Sequence, residues 1–173
     1  FTAFWIFAAH TVLQNRGPED LRELSLQLSA HMIFLGGKAA NLKKAYALAE
    51  EILSSGKALR LFQDVVKRQK GDLSRLPRAK NSQEILASRK GFVKSIDAEK
   101  AGMASLLLGA GRAKADDKID PSAGILLHKK VGDKVQKGEK LATLFYNSET
   151  GLLESKKLIF SAFAISLQKP KQP

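Results

Sequence analysis

Apolar residues recur at three- and four-residue steps through most of the first seventy positions and at two-residue steps around residue 91 and beyond. A helical part should therefore give way to a mixed one. Leu21, Leu24, Leu28, Met32 and Leu35 share one helical face, and Leu26, Ala30 and Ile33 make the other side apolar too. That pattern predicts a helix buried almost all round. Gly17-Pro18-Glu19-Asp20 starts it, with Pro18 suited to the first helical position and two acids at the positive end of the dipole. Gly36-Gly37 stops it. A second helix is predicted from about Asn41 to Ser54, with Leu42, Tyr46, Ala49, Ile52 and Leu53 inward and Gly56 at its end. A third runs from Ala58 to Gln69 on Leu59, Phe62, Val65 and Val66, and closes at Gly71. Short loops favour antiparallel neighbours.

Residues 71–81 are polar, and Pro77 discourages helix at Leu76, so a boundary falls there. Beyond it GFVKSIDA (91–98) alternates as a half-buried strand, and 98–109 returns to helix through Ala101, Ala104, Leu107 and Leu108. ILLHKKV (125–131) and KLATLFY (140–146) read as strands flanking turns at Gly132-Asp133 and Lys137-Gly138. The segment 150–167, with Leu152, Leu158, Ile159, Phe163 and Ile165, reads as an amphipathic to fully apolar helix, and KPKQP as a frayed tail. The expected organisation is a helical segment over 1–72, a linker over 73–81 and an α+β module over 82–173.

A chain of 173 residues makes one domain or two small ones. With 44% hydrophobic residues and a mean hydropathy of −0.18 it has the composition of an ordinary globular protein. The absence of cysteine excludes a disulfide framework and a thiolate metal site, and it fits a reducing cytoplasm. FTAFWIFAAHTVL is apolar for about thirteen residues, where a membrane span needs about twenty. It lacks a basic n-region and cleavage pattern, so neither a membrane anchor nor a signal peptide is expected. A chain opening on Phe1 inside an apolar run reads as a fragment or a processed product.

The formal charge of +12 changes the picture more. It gathers over 67–90 (Lys67, Arg68, Lys70, Arg75, Arg78, Lys80, Arg89, Lys90) and in the later hairpin (Lys129, Lys130, Lys134, Lys137, Lys140). Such faces attract anions without specificity, so a non-enzymatic module for RNA or another anionic partner is an alternative reading. Against it, aromatics are only 7% and are not interleaved with Lys or Arg on strands, which leaves little for base stacking.

Candidate chemistry is thin. Gly109-Ala110-Gly111-Arg112 invites a phosphate-loop reading, but it follows a predicted helix and so sits at the negative end of a dipole. A helix-stopping turn is the better reading. Asp116, Asp117 and Asp120 do not match a calcium loop, and Asp120-Pro121 is turn chemistry. His10, His31 and His128 have no metal-spaced partner, no nucleophile elbow is present, and His31 should be buried in its helix. VGDKVQKGE followed by an apolar strand is similar to the lipoyl- and biotin-carrier pattern, yet no lysine occupies the tip where a carrier displays one.

GPEDLRELSLQLSAHM, SGKAL, LPRAK, LLLGAGRA, KIDPSAGILLHKKVGDKV and QKGEKLAT stand in one order over residues 17–148. In that order they resemble the C-terminal part of the pyrimidine-nucleoside and thymidine phosphorylases. The resemblance implies an α+β fold, with a helical segment of the large domain followed by a hammerhead-like module carrying lipoyl-like hairpins. It also implies an enzyme that cleaves a pyrimidine nucleoside with phosphate, as a homodimer, and a partner in the missing N-terminal half. The family's phosphate motif and base-holding residues come earlier than anything in this chain. No catalytic, cofactor-binding or metal residue is carried over, no cofactor is expected, and the chain should be inactive alone. Where the family has a helix ending in acids that help hold a cation, this chain has FTAFWIFAAHTVLQ, without Asp or Glu.

Overall fold

The computed structural model describes residues 2–112 and 114–170; Phe1, Ala113 and the last three residues of the predicted tail lie outside them. Contacts divide the chain into two compact units, one from Trp5 to Leu76 and the other made almost wholly of the residues from Pro77 onward.

The first unit is helical: α1 (Thr2–Leu13), α2 (Glu19–Leu35), α3 (Leu42–Ser54), α4 (Lys57–Arg68) and a 3₁₀ turn at Leu73–Arg75. Pro18 precedes α2 in extended conformation, one position earlier than its expected place inside the helix. Asn41 caps α3 by accepting a bond from the Lys44 amide. Leu26, Ala49 and Leu53 form the small core between α2 and α3, with Leu13, Ile33 and Tyr46 against it. Tyr46 Oη donates to Glu23 Oε2 at 2.6 Å, and Arg22 reaches Glu50 at 3.2 Å, so polar groups rim the same seam. The Tyr46 hydroxyl, then Gln27, hold the Glu23 carboxyl below its usual range.

Three expectations fail here. Helix α2 is not buried all round: Leu26 and Ala30 are buried, whereas Leu24, Leu28, Met32 and Leu35 are 55–81% exposed. The helix has two apolar faces, and this chain packs only one of them. Helix α4 buries no residue completely, and Val65 stands exposed. In α3 likewise, Leu42 is exposed while Ala45 joins the buried set.

The second unit is α+β. Its six strands are β1 (Asn81–Leu86), β2 (Gly91–Ile96), β3 (Gly124–Leu127), β4 (Lys134–Val135), β5 (Lys140–Tyr146) and β6 (Phe163–Ser166). They form two antiparallel three-stranded sheets, ordered β1-β5-β3 and β4-β2-β6. Helices α5 (Ala98–Ser105) and α6 (Leu152–Ala162) pack against each other. Buried Ser155 joins them by donating to the Ala104 carbonyl at 2.9 Å. Val93, Val135, Leu141, Leu144 and Ile159 are the most enclosed large apolar side chains.

The long hairpin ties both sheets together. Its β5 arm lies in one sheet, while β4 leaves to pair with β2 in the other. Backbone bonds Val93 N to Asp133 O, Gly132 N to Val93 O, Ala87 N to Glu139 O and Gly138 N to Ala87 O clamp its two turns. The predicted strand 125–131 is shorter, because the chain turns away after Leu127. The predicted helix 150–167 is corrected too: it ends at Ala162, and Phe163–Ser166 becomes β6, paired with β2. Among the described residues no helix is long and apolar enough to cross a membrane.

Candidate functional site

The glycine loop, expected as a helix-stopping turn, has its local geometry set by how α5 ends. After Ser105 the helix widens into a π turn, Leu106–Ala110, closed by Gly109 at φ +92°. Only glycine adopts that conformation at little cost. The loop therefore stops a helix. Its inward contact is a carbonyl: Gly109 O accepts from the Asp120 amide at 2.8 Å. An anion would need amides there instead. Arg112 is exposed beyond it.

Asp120 is the centre of a dense polar network in this region. Its Oδ1 accepts from the Ser122 amide at 2.9 Å and the Ser122 hydroxyl at 2.7 Å, an Asx turn of the kind Asp-Pro favours. Its Oδ2 accepts from Asn147 Nδ2 at 2.6 Å, and the same nitrogen reaches Ser122 Oγ at 2.9 Å. Asn147 Oδ1 in turn accepts from the Lys80 amide at 2.8 Å. Burial pushes the Asp120 carboxyl up, but the bonds from Ser122, Asn147 and the Ala123 amide outweigh it and hold the group below the usual Asp range. A carboxylate so held keeps its charge and its bonds at neutral pH, which suits a clasp and disqualifies a proton carrier.

The other acids of the predicted cluster go elsewhere. Asp117 accepts from the Lys114 amide at 2.8 Å, within its own turn. Among the described residues no three His, Asp or Glu side chains converge as a metal site would require. The histidines do not gather either. His10 lies on α1 near Gln14 and Phe62. His31 is exposed on α2, which corrects its expected burial. His128 follows β3, with Nε2 2.8 Å from the buried Thr143 hydroxyl.

On the hairpin Lys129 pairs with Glu139, and Lys140 pairs with Glu84. The Lys129 ammonium, then the Gln136 amide, keep Glu139 below its usual range. Cavities open elsewhere among the described residues. One of about 470 Å³ lies among Val12, Leu21, Leu26, Ile33, Ala49 and Leu53, and no ionisable group lines it. Another, about 320 Å³, lies beside Phe160, Phe163 and Arg89, whose guanidinium is engaged with the Ile165 carbonyl. Sequence reading missed the Asn147 and Arg89 contacts, since neither residue stands in a recognisable spacing with its partners.

Residues 92–166 match the family model of the pyrimidine nucleoside phosphorylase C-terminal domain. The match runs past Asn147 through β6, so the apolar segment after Asn147 is part of the matched domain. A pyrimidine-nucleoside phosphorylase of Bacillus subtilis (strain 168) is 48% identical over 143 residues, which is 79% of this chain and 33% of that protein. Those of Geobacillus stearothermophilus and Staphylococcus aureus (strain USA300) are each 42% identical over the same shares. The chain thus spans about a third of the length of the curated relatives it matches. The chain matches the C-terminal part of the pyrimidine-nucleoside phosphorylases, and its residues 92–166 match that family's C-terminal domain.

Proposed function

We propose that this chain serves as the C-terminal portion of a pyrimidine-nucleoside phosphorylase, and that its part in the reaction is support. The reaction would take a pyrimidine nucleoside and phosphate to the free base and a (deoxy)ribose 1-phosphate. Phosphate attacks the anomeric carbon while charge on the departing base is stabilised by fixed donors. Those donors would come from the larger remainder of the enzyme. This chain would form the back of the large domain and stiffen it for closure over the substrates, in a cytoplasmic homodimer. The second unit is read as a hammerhead-like module, with the clamped hairpin as its lipoyl-like element.

The observation that carries this reading is the 48% identity over 143 residues that make up 33% of a longer relative. The side chains agree with it. Asp97 caps α5, Asp120 holds the Asn147 clasp, and Glu84 and Glu139 pair with lysines, so these acids serve the fold. The chain alone is expected to give no uridine or thymidine phosphorolysis. A chimera in which it replaces the C-terminal third of the B. subtilis relative is expected to turn over. Turnover by the chain alone sinks the supporting role, and a soluble chimera without turnover sinks the family function. The basic-module alternative would show as oligonucleotide binding that weakens steeply with salt.

A further inference from the structure

Helix α2 carries two apolar stripes on opposite sides. At about 100° per residue, Leu24, Leu28, Met32 and Leu35 fall within roughly 80° of arc, and Leu26, Ala30 and Ile33 lie roughly opposite. The second stripe is packed on α3, with Leu26 and Ala30 buried. The first is open, with Met32 at 74% and Leu35 at 81% exposure. A helix apolar on both sides is built to lie between two layers, and here one layer is present.

Three kinds of occupant can be weighed. A membrane surface fits poorly, because α2 carries Glu19, Asp20 and Glu23 against Arg22 alone, in a chain otherwise strongly basic. A second copy fits poorly on area. Seventeen residues make a helix about 25 Å long, and a stripe about 10 Å wide covers some 250 Å². A stable interface needs about 800 Å² from each partner. A layer joined by continuous chain carries no such threshold, since it gives up little rotational and translational freedom on docking. Two-thirds of the length of the relatives lies outside the match, enough chain to supply such a layer.

We infer that the Leu24–Leu28–Met32–Leu35 face of α2 is the seam on which the remainder of a phosphorylase polypeptide packs. The inference rests on the family reading above and adds the location of the contact.

The chain has no cysteine, so a single one reports unambiguously. Met32→Cys is made in this chain and in the B. subtilis chimera, with Lys137→Cys on the exposed hairpin turn as control. Maleimide labelling is followed by peptide mass. In this chain alone both thiols should label at similar rates. In the chimera Met32→Cys should slow by about tenfold or more, while the control keeps its rate. Equal labelling of Met32→Cys in the two contexts overturns the seam, whether or not the chimera turns over. Protection already present in the chain alone, with a dimer on sizing, assigns the face to a second copy and overturns it too. A turning-over chimera with an unprotected thiol refutes the seam and leaves the family reading standing. A protected thiol in a dead chimera does the reverse.

Discussion

Asn147 closes three connections with one amide group. Its nitrogen serves Asp120 and Ser122, and its oxygen takes the Lys80 amide from the start of the second unit. Asn147→Ala should remove these bonds and cost about 0.5–1.5 kcal/mol of unfolding free energy, read from the urea midpoint at unchanged slope. Asp120 adds a pH dependence. Its folded pKa is depressed, so on acidification the unfolded chain binds the proton first. The stability it contributes is therefore full above the usual Asp range and is lost as pH falls through the lowered value. Asp120→Asn should be less stable than the parent near neutrality, and the gap should shrink as pH drops from about 6 to about 3. A constant gap across that range would remove the carboxylate from the account. Gly151 is constrained differently: φ is +76°, and an added Cβ would stand 2.5 Å from the Leu107 carbonyl oxygen. Gly151→Ala should cost about 1–3 kcal/mol through backbone strain, with the clash adding to it. Thermal unfolding of the variant measures the loss.

At the scale of elements, legibility followed how local each cause was. Helix α3 and strand β5 lie where the spacing of apolar residues and the flanking caps put them, because those signals act within a few residues. Strand β1, NSQEIL, was unreadable: it buries only Ile85, so it offers no apolar alternation. Strand β6 was misread for the opposite reason. Its residues continue the apolar run of α6, and what turns them into a strand is pairing with β2, some seventy residues earlier in the chain. The clasp was half legible. Asp120-Pro121 announced a turn, but nothing in the sequence joined it to Asn147. The strand reading of β6 makes a sharp test, since Phe163 and Ile165 are buried while Ala164 faces out. Ile165→Asp should place an unpaired charge in the core and cost several kcal/mol, about 3–5. Ala164→Asp should stay within about 0.5 kcal/mol of the parent. Similar losses at both positions would contradict the alternation.

For the whole molecule the decisive contrast is between the cores of the two units. The second unit gathers fifteen buried apolar residues in one cluster, from Ile85 to Ile165. The cluster between α2 and α3 has three, Leu26, Ala49 and Leu53, while Leu24, Leu28, Met32, Leu35 and Leu61 stand open. Burial of a large apolar side chain is worth about 1.5–3 kcal/mol, so the helical unit forgoes a large part of the stabilisation its sequence encodes. The two units should therefore not melt as one. Hydrogen exchange resolved by peptide should find α2, α3 and α4 opening at lower denaturant than β2, β5 and α6, and thermal unfolding should broaden into two steps. Covering the open face should reverse this. In the B. subtilis chimera the α2 amides should gain protection by more than those of β5, because the missing layer restores a core that the second unit already has. If the helices of this chain prove as slow to exchange as β5, their exposed leucines are not a deficit, and the uncovered face loses its physical significance.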